Sequence, residues 1–119
     1  MKFLMTYAAN PDNPPPTPEK MAEIGAFTAD NIAKGIVIMT GGLVRPTRGI
    51  HVRCQAGEFS TVDGPFAETK ELIDGFALIK ADSKEEAIRI AERFMKIAGD
   101  GEGEILQVFD MADEAPPRG

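Results

Sequence analysis

The chain has 119 residues, of which 43% are hydrophobic and 27% charged, a balance typical of a single folded domain rather than a disordered or membrane protein. Thirteen basic and nineteen acidic side chains give a net charge of −6, which disfavours both nucleic acid and anionic membranes as partners. The single cysteine, Cys54, excludes an internal disulfide, and no apolar stretch reaches the roughly 20 residues of a membrane helix, so we expect a cytoplasmic protein.

The first part of the chain predicts a strand followed by a helix. Residues 2–8 (KFLMTYA) are rich in strand-forming residues, and both faces of the run are largely apolar, as in an interior strand. The proline-rich residues 10–18 (NPDNPPPTP) favour neither helix nor sheet, and they lead into a helix start at Thr17, a typical N-cap residue. We therefore predict a helix over 18–34. Its expected apolar stripe consists of Met21, Ile24, Thr28 and Ile32.

The middle of the chain predicts a strand and a β-hairpin. Residues 35–44 (GIVIMTGGLV) are β-branched and interrupted by a glycine pair, which favours a strand that ends in a loop. Residues 50–62 contain two alternating runs around Ala56 and Gly57, which suits a two-residue hairpin turn. The face that carries His51 and Arg53 is the more polar one. The expected cross-strand pairs are Gln55 with Glu58, Arg53 with Ser60, His51 with Val62, Cys54 with Phe59 and Val52 with Thr61.

The last part of the chain predicts a strand, a helix and a closing strand. Residues 73–81 (IDGFALIKA) form the strand, and Ser83 with Glu86 has the spacing of a capping box at a helix start. The helix is expected to run up to Gly99, and residues 103–111 (GEILQVFDM) predict the closing strand. The apolar stripe of this helix consists of Ala87, Ile90, Ala91, Phe94 and Ile97.

The elements alternate as strand, helix, strand, hairpin, strand, helix, strand. Without the hairpin they form two β-α-β units, the order of a ferredoxin-like α+β domain with an antiparallel sheet and two helices on one face. We predict one such domain over 1–111, with the β-hairpin as an insertion. Residues 112–119 form a polar tail that we expect to be mobile.

Two helices cover one face of such a sheet, yet its strands are apolar on both faces. In the first strand, one face carries Phe3, Met5 and Tyr7, and the other carries Leu4, Thr6 and Ala8. Face-to-face packing of the sheets of two identical chains would bury the uncovered side. The sequence therefore predicts a homodimer.

The nine residues 63–71 (DGPFAETKE) resemble the signature of the DGPF, or YCII-related, family of small bacterial proteins. The resemblance extends over nearly the whole chain, from MKFLMTYA at the start to IDGFALIKADSKEEAI at 73–88. It implies a ferredoxin-like fold that dimerises into a dimeric α+β barrel, with a cleft between sheet and loops. Genes of this family often lie beside those of extracytoplasmic-function sigma factors, so the resemblance also implies a link to transcriptional regulation.

The acidic segment 63–71 supplies candidate catalytic carboxylates. Asp63 lies where the hairpin ends, and it either accepts backbone N–H bonds in the turn or acts as an acid or base. Glu68 and Glu71 are three residues apart, so in a helical turn they form either a pair of repelling carboxylates suited to acid catalysis or a solvated charged turn. Phe66 is either an anchor of the loop or a ring that contacts a ligand.

Further candidate site residues lie outside that segment. Imidazole is the side-chain group that naturally titrates near neutral pH, so His51, the sole histidine, is a candidate acid or base on the hairpin beside Arg53. Arg45 and Arg48 flank a proline turn, where they either bind a carboxylate or phosphate of a ligand or pair with the surplus acidic residues. Tyr7 either lines a pocket with its hydroxyl or packs in the core.

The broader YCII-related group includes members with a His-Asp pair whose histidine lies in the first helix. Residues 18–34 of this chain contain no histidine, so the resemblance does not carry that pair over. The sequence contains no dinucleotide- or phosphate-binding glycine motif between a strand and a helix, and no cluster of metal-ligand residues. We therefore predict no cofactor and no metal.

Two functions remain open. In the first, a cleft of the homodimer binds a small polar or aromatic metabolite, and carboxylates such as Asp63 or Glu71 take part in proton transfer. In the second, the protein is a non-catalytic accessory or ligand-sensing module linked to regulation by a sigma factor. Segment 63–71 is then a structural clamp at the dimer interface. We favour a small-molecule-binding homodimer without an assigned reaction.

Overall fold

The computed structural model of the chain describes residues 1–43, 49–63 and 73–109. Within these residues, no helix is both long and apolar enough to cross a membrane. The elements in chain order are β1 (Lys2–Ala9), α1 (Pro18–Ala33), β2 (Val37–Gly42), β3 (Ile50–Gln55), β4 (Glu58–Asp63), β5 (Gly75–Lys80), α2 (Lys84–Ala98), β6 (Gly101–Glu102) and β7 (Ile105–Val108).

The main sheet has β1 at its centre. The strand order is β2-β5-β1-β6, and β7 pairs with β1 on the same side as β6, all neighbours being antiparallel. When β6 and β7 are counted as one interrupted strand and the hairpin is set aside, this is the strand order of a ferredoxin-like domain. The predicted fold class, an α+β domain with two helices packed on an antiparallel sheet, is confirmed for the described residues.

The core lies between the sheet and the helices. Phe3 of β1 and Ile79 of β5 are paired directly across the strands, and each is 1% exposed. Ala87 and Ile90 of α2 pack against this pair, together with Val37 of β2. Burying an apolar side chain as large as phenylalanine or isoleucine contributes about 1.5–3 kcal/mol. The β1–β5 pairing and the docking of α2 are therefore stabilised by the same side chains.

Helix α1 begins as predicted, but only Ile24 and Thr28 of its predicted stripe lie on the shielded face. The Thr17 hydroxyl accepts the backbone N–H of Lys20 at 3.1 Å, as an N-cap should. Met21 and Ile32, which were expected in the apolar stripe, are 61% and 51% exposed. They lie about 80° around the helix from the centre of the shielded face, because each residue advances by about 100°. The more shielded residues of α1 are Lys20, Ile24, Phe27, Thr28 and Asn31.

Helix α2 follows its sequence pattern closely. The Ser83 hydroxyl accepts the backbone N–H of Glu86 at 3.1 Å, which is the first half of the predicted capping box. The Glu86 carboxylate accepts the backbone N–H of Asp82 at 3.3 Å, one residue before the expected partner. The predicted stripe is shielded from solvent at every position, namely Ala87, Ile90, Ala91, Phe94 and Ile97.

The hairpin of β3 and β4 forms a two-stranded sheet of its own, in the predicted register. Its turn residues Ala56 and Gly57 have positive φ angles of 53° and 82°, the combination that a type I′ turn requires. All side chains described in the two strands are exposed, and Phe59 is exposed by 77%.

The last strand differs from the prediction. A strand over 103–111 was expected, and β7 occupies Ile105–Val108 within that range. A further short strand, β6, precedes it, and Gly103 and Glu104 separate the two. The Thr6 backbone N–H donates to the Glu104 carbonyl at 2.9 Å, and the Thr6 hydroxyl accepts the Glu104 N–H at 3.1 Å. A Cβ atom at Gly103 would overlap the backbone carbonyl of Thr6. The absence of a side chain at Gly103 therefore allows the chain to approach β1 at this break.

The face of the sheet opposite the helices carries a row of apolar side chains. Strand register places Met39, Leu78, Leu4 and Leu106 side by side across β2, β5, β1 and β7. Leu4, Leu78 and Leu106 alternate with the residues on the core side, so they point away from the helices. The register shift between Val37 and Met39 brings Met39 into the same row. We call this row the open face. Met39 is 57% exposed and Leu106 is 50% exposed.

We predict that Gly103→Ala lowers the free energy of unfolding by about 1–3 kcal/mol, because the added methyl group displaces the backbone of β1. Gly25→Ala in α1 is the matched control, since its Cβ would meet no atom within 4 Å. A helix gains up to about 1 kcal/mol from this change. Urea denaturation measures both variants. Equal stability of the two would contradict the close approach at Gly103.

Candidate functional site

A cavity of about 990 Å³ lies between the helix-covered face of the sheet and the helices. Its walls come from β1, β2, β5, α1, α2 and the proline-rich residues 10–17, which connect β1 to α1. Apolar side chains dominate the interior, with Ile24, Phe27, Ile79, Ile90, Phe94 and Met95 among them. The volume suits a small organic molecule.

Three aromatic rings meet in the cavity wall. The rings of Tyr7 and Phe94 are 5.3 Å apart at 85°, an edge-to-face contact. The rings of Phe27 and Phe94 are 6.4 Å apart and tilted by 51°. Phe94 belongs to the apolar stripe of α2 and Phe27 to the shielded face of α1. The packing of α2 on β1 and of α1 on α2 therefore assembles this aromatic wall.

One end of the cavity is polar, and the Tyr7 hydroxyl lies there. It donates to the Gly99 carbonyl at 2.9 Å and lies 3.2 Å from the Asp100 carbonyl. The Asp100 carbonyl also accepts the Asn10 backbone N–H at 2.9 Å and the Asn13 side-chain amide at 2.6 Å. These bonds fasten the proline-rich connection to the residues that follow α2.

Asp74 joins the ends of β1 and β5 at the same end of the cavity. Its Oδ2 accepts the backbone N–H of Ala9 at 2.6 Å, and its own backbone N–H donates to the Tyr7 carbonyl at 2.7 Å. The Asp74 carbonyl accepts the Leu43 N–H at 2.8 Å, which adds the end of β2. The bonds to Ala9 and Tyr7 hold this carboxylate beside β1.

The electrostatics of the polar end favour a neutral tyrosine. Burial of the Tyr7 hydroxyl raises its pKa above the usual value, and the negative charges of Asp74 and Asp100 raise the pKa further. Lys20 lines the same region and lies close to Gly99. The described residues that line this end, with two carboxylates and one ammonium group, carry a net negative charge.

The structure separates the sequence-predicted site residues that it describes. Tyr7 lines the cavity, whereas His51 and Arg53 are exposed on the hairpin and do not line it. Arg53 instead borders a shallow depression beside the hairpin turn, together with Glu58 and Phe59. The ligand-binding and catalytic roles of these residues stay predictions.

The other predicted site residues fall where the structure gives no side-chain detail. Asp63 ends β4, and its backbone pairs with Ile50, but its side chain is outside the description. The remaining predicted residues, namely Arg45, Arg48, Phe66 and Glu71, lie outside the described residues. Their roles also stay predictions.

Sequence reasoning missed the polar partners of Tyr7. Asp74 and Asp100 sit next to glycines at the ends of regular elements, positions that usually predict turns. The bond from Tyr7 to Gly99 joins residues 92 positions apart, a separation over which no sequence pattern indicates contact. Phe27 and Phe94 were recognisable as helix residues but not as cavity residues. Within the described ranges, no three His, Cys, Asp or Glu residues are grouped so that they could hold a metal ion.

Comparison with known proteins gives one relative and one solved structure of interest. The chain is 38% identical over 71 residues to an uncharacterized protein of Rhizobium meliloti (strain 1021), a match that spans 60% of this chain and 57% of that relative. The fold is similar to that of 5-chloro-2-hydroxyhydroquinone dehydrochlorinase from Burkholderia phenoliruptrix AC1100, solved in complex with 2,5-dihydroxybenzoquinone. The TM-score is 0.52, and the identity is 15% over 97% of this chain and 100% of that chain. At this identity the similarity shows the fold alone.

A family model described as the YCII-related domain matches residues 1–112. The match covers the main sheet, both helices α1 and α2, and the hairpin. It confirms the family that the sequence resembles, and the chain belongs to the YCII-related domain family.

Proposed function

We propose that the protein binds a small molecule in the cavity between the sheet and the helices. The observation that carries the proposal is the combination of an apolar aromatic wall with one polar end in a cavity of about 990 Å³. Small-molecule sites typically pair an apolar lining with a few placed polar groups. Here those groups are the Tyr7 hydroxyl and the carboxylates of Asp74 and Asp100.

The structural neighbour adds support of a limited kind. That dehydrochlorinase was solved with 2,5-dihydroxybenzoquinone, a single ring with polar substituents. A fold of the same class therefore accommodates a small cyclic ligand in at least one protein. We propose a ligand of comparable size for this chain, on the strength of the cavity rather than of the low sequence identity.

Acid-base chemistry remains part of the proposal without an assigned reaction. Asp63, Glu71 and His51 are the proposed groups from the sequence. Among the described residues, the carboxylates that line the cavity belong to Asp74 and Asp100. A carboxylate within reach of a bound molecule can exchange a proton with it.

We also propose that the protein is a homodimer joined through the open face. Four apolar side chains lie in register there, and two of them are at least half exposed. Each square ångström of apolar surface removed from water contributes about 25 cal/mol. A second copy presents the same row, so a two-fold pairing is self-complementary.

We expect Leu106→Glu to shift the protein from dimer to monomer at micromolar concentration, because the new charge would lie in the proposed interface. Ile88→Glu is the control. It places the same charge on α2 at a residue that is 48% exposed. Light scattering measures the mass of both variants and the parent. A monomeric parent, or a dimer that survives Leu106→Glu, would overturn the proposed interface.

The cavity is tested by filling it. Ala91→Trp places a large ring on the cavity side of α2, and Ala22→Trp places the same ring on the exposed side of α1. We expect hydroquinone, an uncharged ring with two hydroxyl groups, to perturb backbone NMR signals of β1, α1 and α2 in the parent and in Ala22→Trp. Its affinity should fall at least about tenfold in Ala91→Trp, the equivalent of about 1.4 kcal/mol. Equal binding by folded Ala91→Trp would place the ligand elsewhere.

From the raised pKa of Tyr7 we predict that the folded protein loses stability at alkaline pH. Tyr7 is the sole tyrosine and the chain has no tryptophan, so ultraviolet absorbance reports its ionisation directly. Its folded pKa is raised, whereas the unfolded chain ionises at the ordinary value near 10. The unfolded state therefore loses its proton first, and stability falls as the pH rises above about 10.

We expect native Tyr7 to ionise above pH 10 and Asp100→Asn to move its pKa back toward the ordinary value. Asp30→Asn is the control. Asp30 lies on the outer side of α1 and pairs with Lys34, so this change should leave the pKa of Tyr7 unchanged. An unshifted Tyr7 in the parent would contradict the negative charge assigned to this end of the cavity.

A further inference from the structure

The hydrogen-bond arrangement around Tyr7 fixes the direction in which its hydroxyl can serve a ligand. A phenolic oxygen carries one donor hydrogen and can also accept. The Asp100 carbonyl already accepts from Asn10 and Asn13, which occupy its two lone pairs, so the Tyr7 hydrogen goes to Gly99 at 2.9 Å. The hydrogen is thus committed to the protein backbone. What the oxygen offers to the cavity is an acceptor.

The position of the hydroxyl is fixed as well as its direction. A Cβ atom at Gly101 would come within 2.9 Å of the Tyr7 hydroxyl oxygen and 2.8 Å of its ring. The tyrosine therefore packs directly on the backbone of β6, while Phe94 holds the ring edge-on from α2. The Tyr7 oxygen has little room to move, so the hydroxyl group of a ligand has to take up the position that this oxygen requires.

We propose that the cavity selects uncharged molecules that carry an apolar body and a hydroxyl group, with the ligand O–H donating to the Tyr7 oxygen. This inference rests on the proposed small-molecule function and names its ligand class. The apolar body lies against the aromatic wall of Phe27 and Phe94. The hydroxyl lies at the polar end, where its hydrogen meets the acceptor.

The charges of the described residues at the polar end disfavour an anionic ligand head. Asp74 and Asp100 repel a carboxylate or phosphate, and the ammonium group of Lys20 offsets one of the two charges. A methyl ether in place of the hydroxyl keeps the oxygen and adds one methyl group, but it leaves the Tyr7 oxygen without a donor. One lost neutral hydrogen bond of this kind corresponds to an affinity difference of about tenfold.

The test compares three probes that share the 4-ethylphenyl group and differ in their head group. They are 4-ethylphenol, 4-ethylanisole and the 4-ethylbenzoate anion. Calorimetric titration of the parent should give the order phenol, ether, benzoate, with about tenfold between the first two. In Tyr7→Phe the phenol and the ether should bind within about twofold of each other. The ether affinity itself should change little, which shows that the variant keeps the cavity.

A second measurement does not depend on how the variant folds. With carbon-13 labelling of tyrosine, the parent gives the signals of one ring, because Tyr7 is the sole tyrosine. The signal of the carbon that bears the hydroxyl should move when 4-ethylphenol is added and stay nearly fixed with 4-ethylanisole. Equal movement with both probes would overturn the proposed hydrogen bond.

The remaining outcomes separate the two levels of the proposal. If the phenol and the ether bind the parent equally, or the benzoate binds best, the ligand class is wrong while small-molecule binding in the cavity stands. If neither uncharged probe, nor hydroquinone, perturbs any cavity residue, the proposed function fails and the ligand class fails with it.

Discussion

The antiparallel register between β1 and β5 decides which side chains enter the core and which line the cavity. It pairs Phe3 with Ile79 at one end of the strands and Tyr7 with Gly75 at the other. Because side chains alternate along a strand, the same register sends Leu4 to the opposite face. A slip of one residue would exchange the two faces and remove both the core pair and the cavity tyrosine. Core packing and the site thus depend on one set of backbone hydrogen bonds.

Most of the helices, strands and turns could be predicted from short-range sequence patterns. The caps at Thr17 and Ser83 and the turn at Ala56 and Gly57 depend on residues within a few positions of each other, so their chemistry is legible in the sequence. The interruption between β6 and β7 could not be predicted from the sequence. It arises from contact with Thr6, nearly a hundred residues earlier, and short-range patterns carry no information about such contact.

The residues of the candidate site likewise differ in whether the sequence predicts them. Tyr7 could be proposed from the sequence because a mid-strand tyrosine needs a partner for its hydroxyl. Its partners could not, since Gly99 and Asp100 become neighbours only after α2 has packed across β1. Asp74 follows the motif at 63–71 closely, and no sequence pattern indicates that it holds the ends of three strands together.

The break between β6 and β7 also governs how the sheet meets other chains. An uninterrupted outer strand offers a continuous row of unpaired backbone groups on which a foreign strand can grow, the usual route to fibrillar aggregation. Within the described residues, the border strand consists of pieces of two and four residues separated by Gly103 and Glu104. An interrupted border of this kind is a poorer template for another strand than a continuous one, so it disfavours sideways growth of the sheet on this flank.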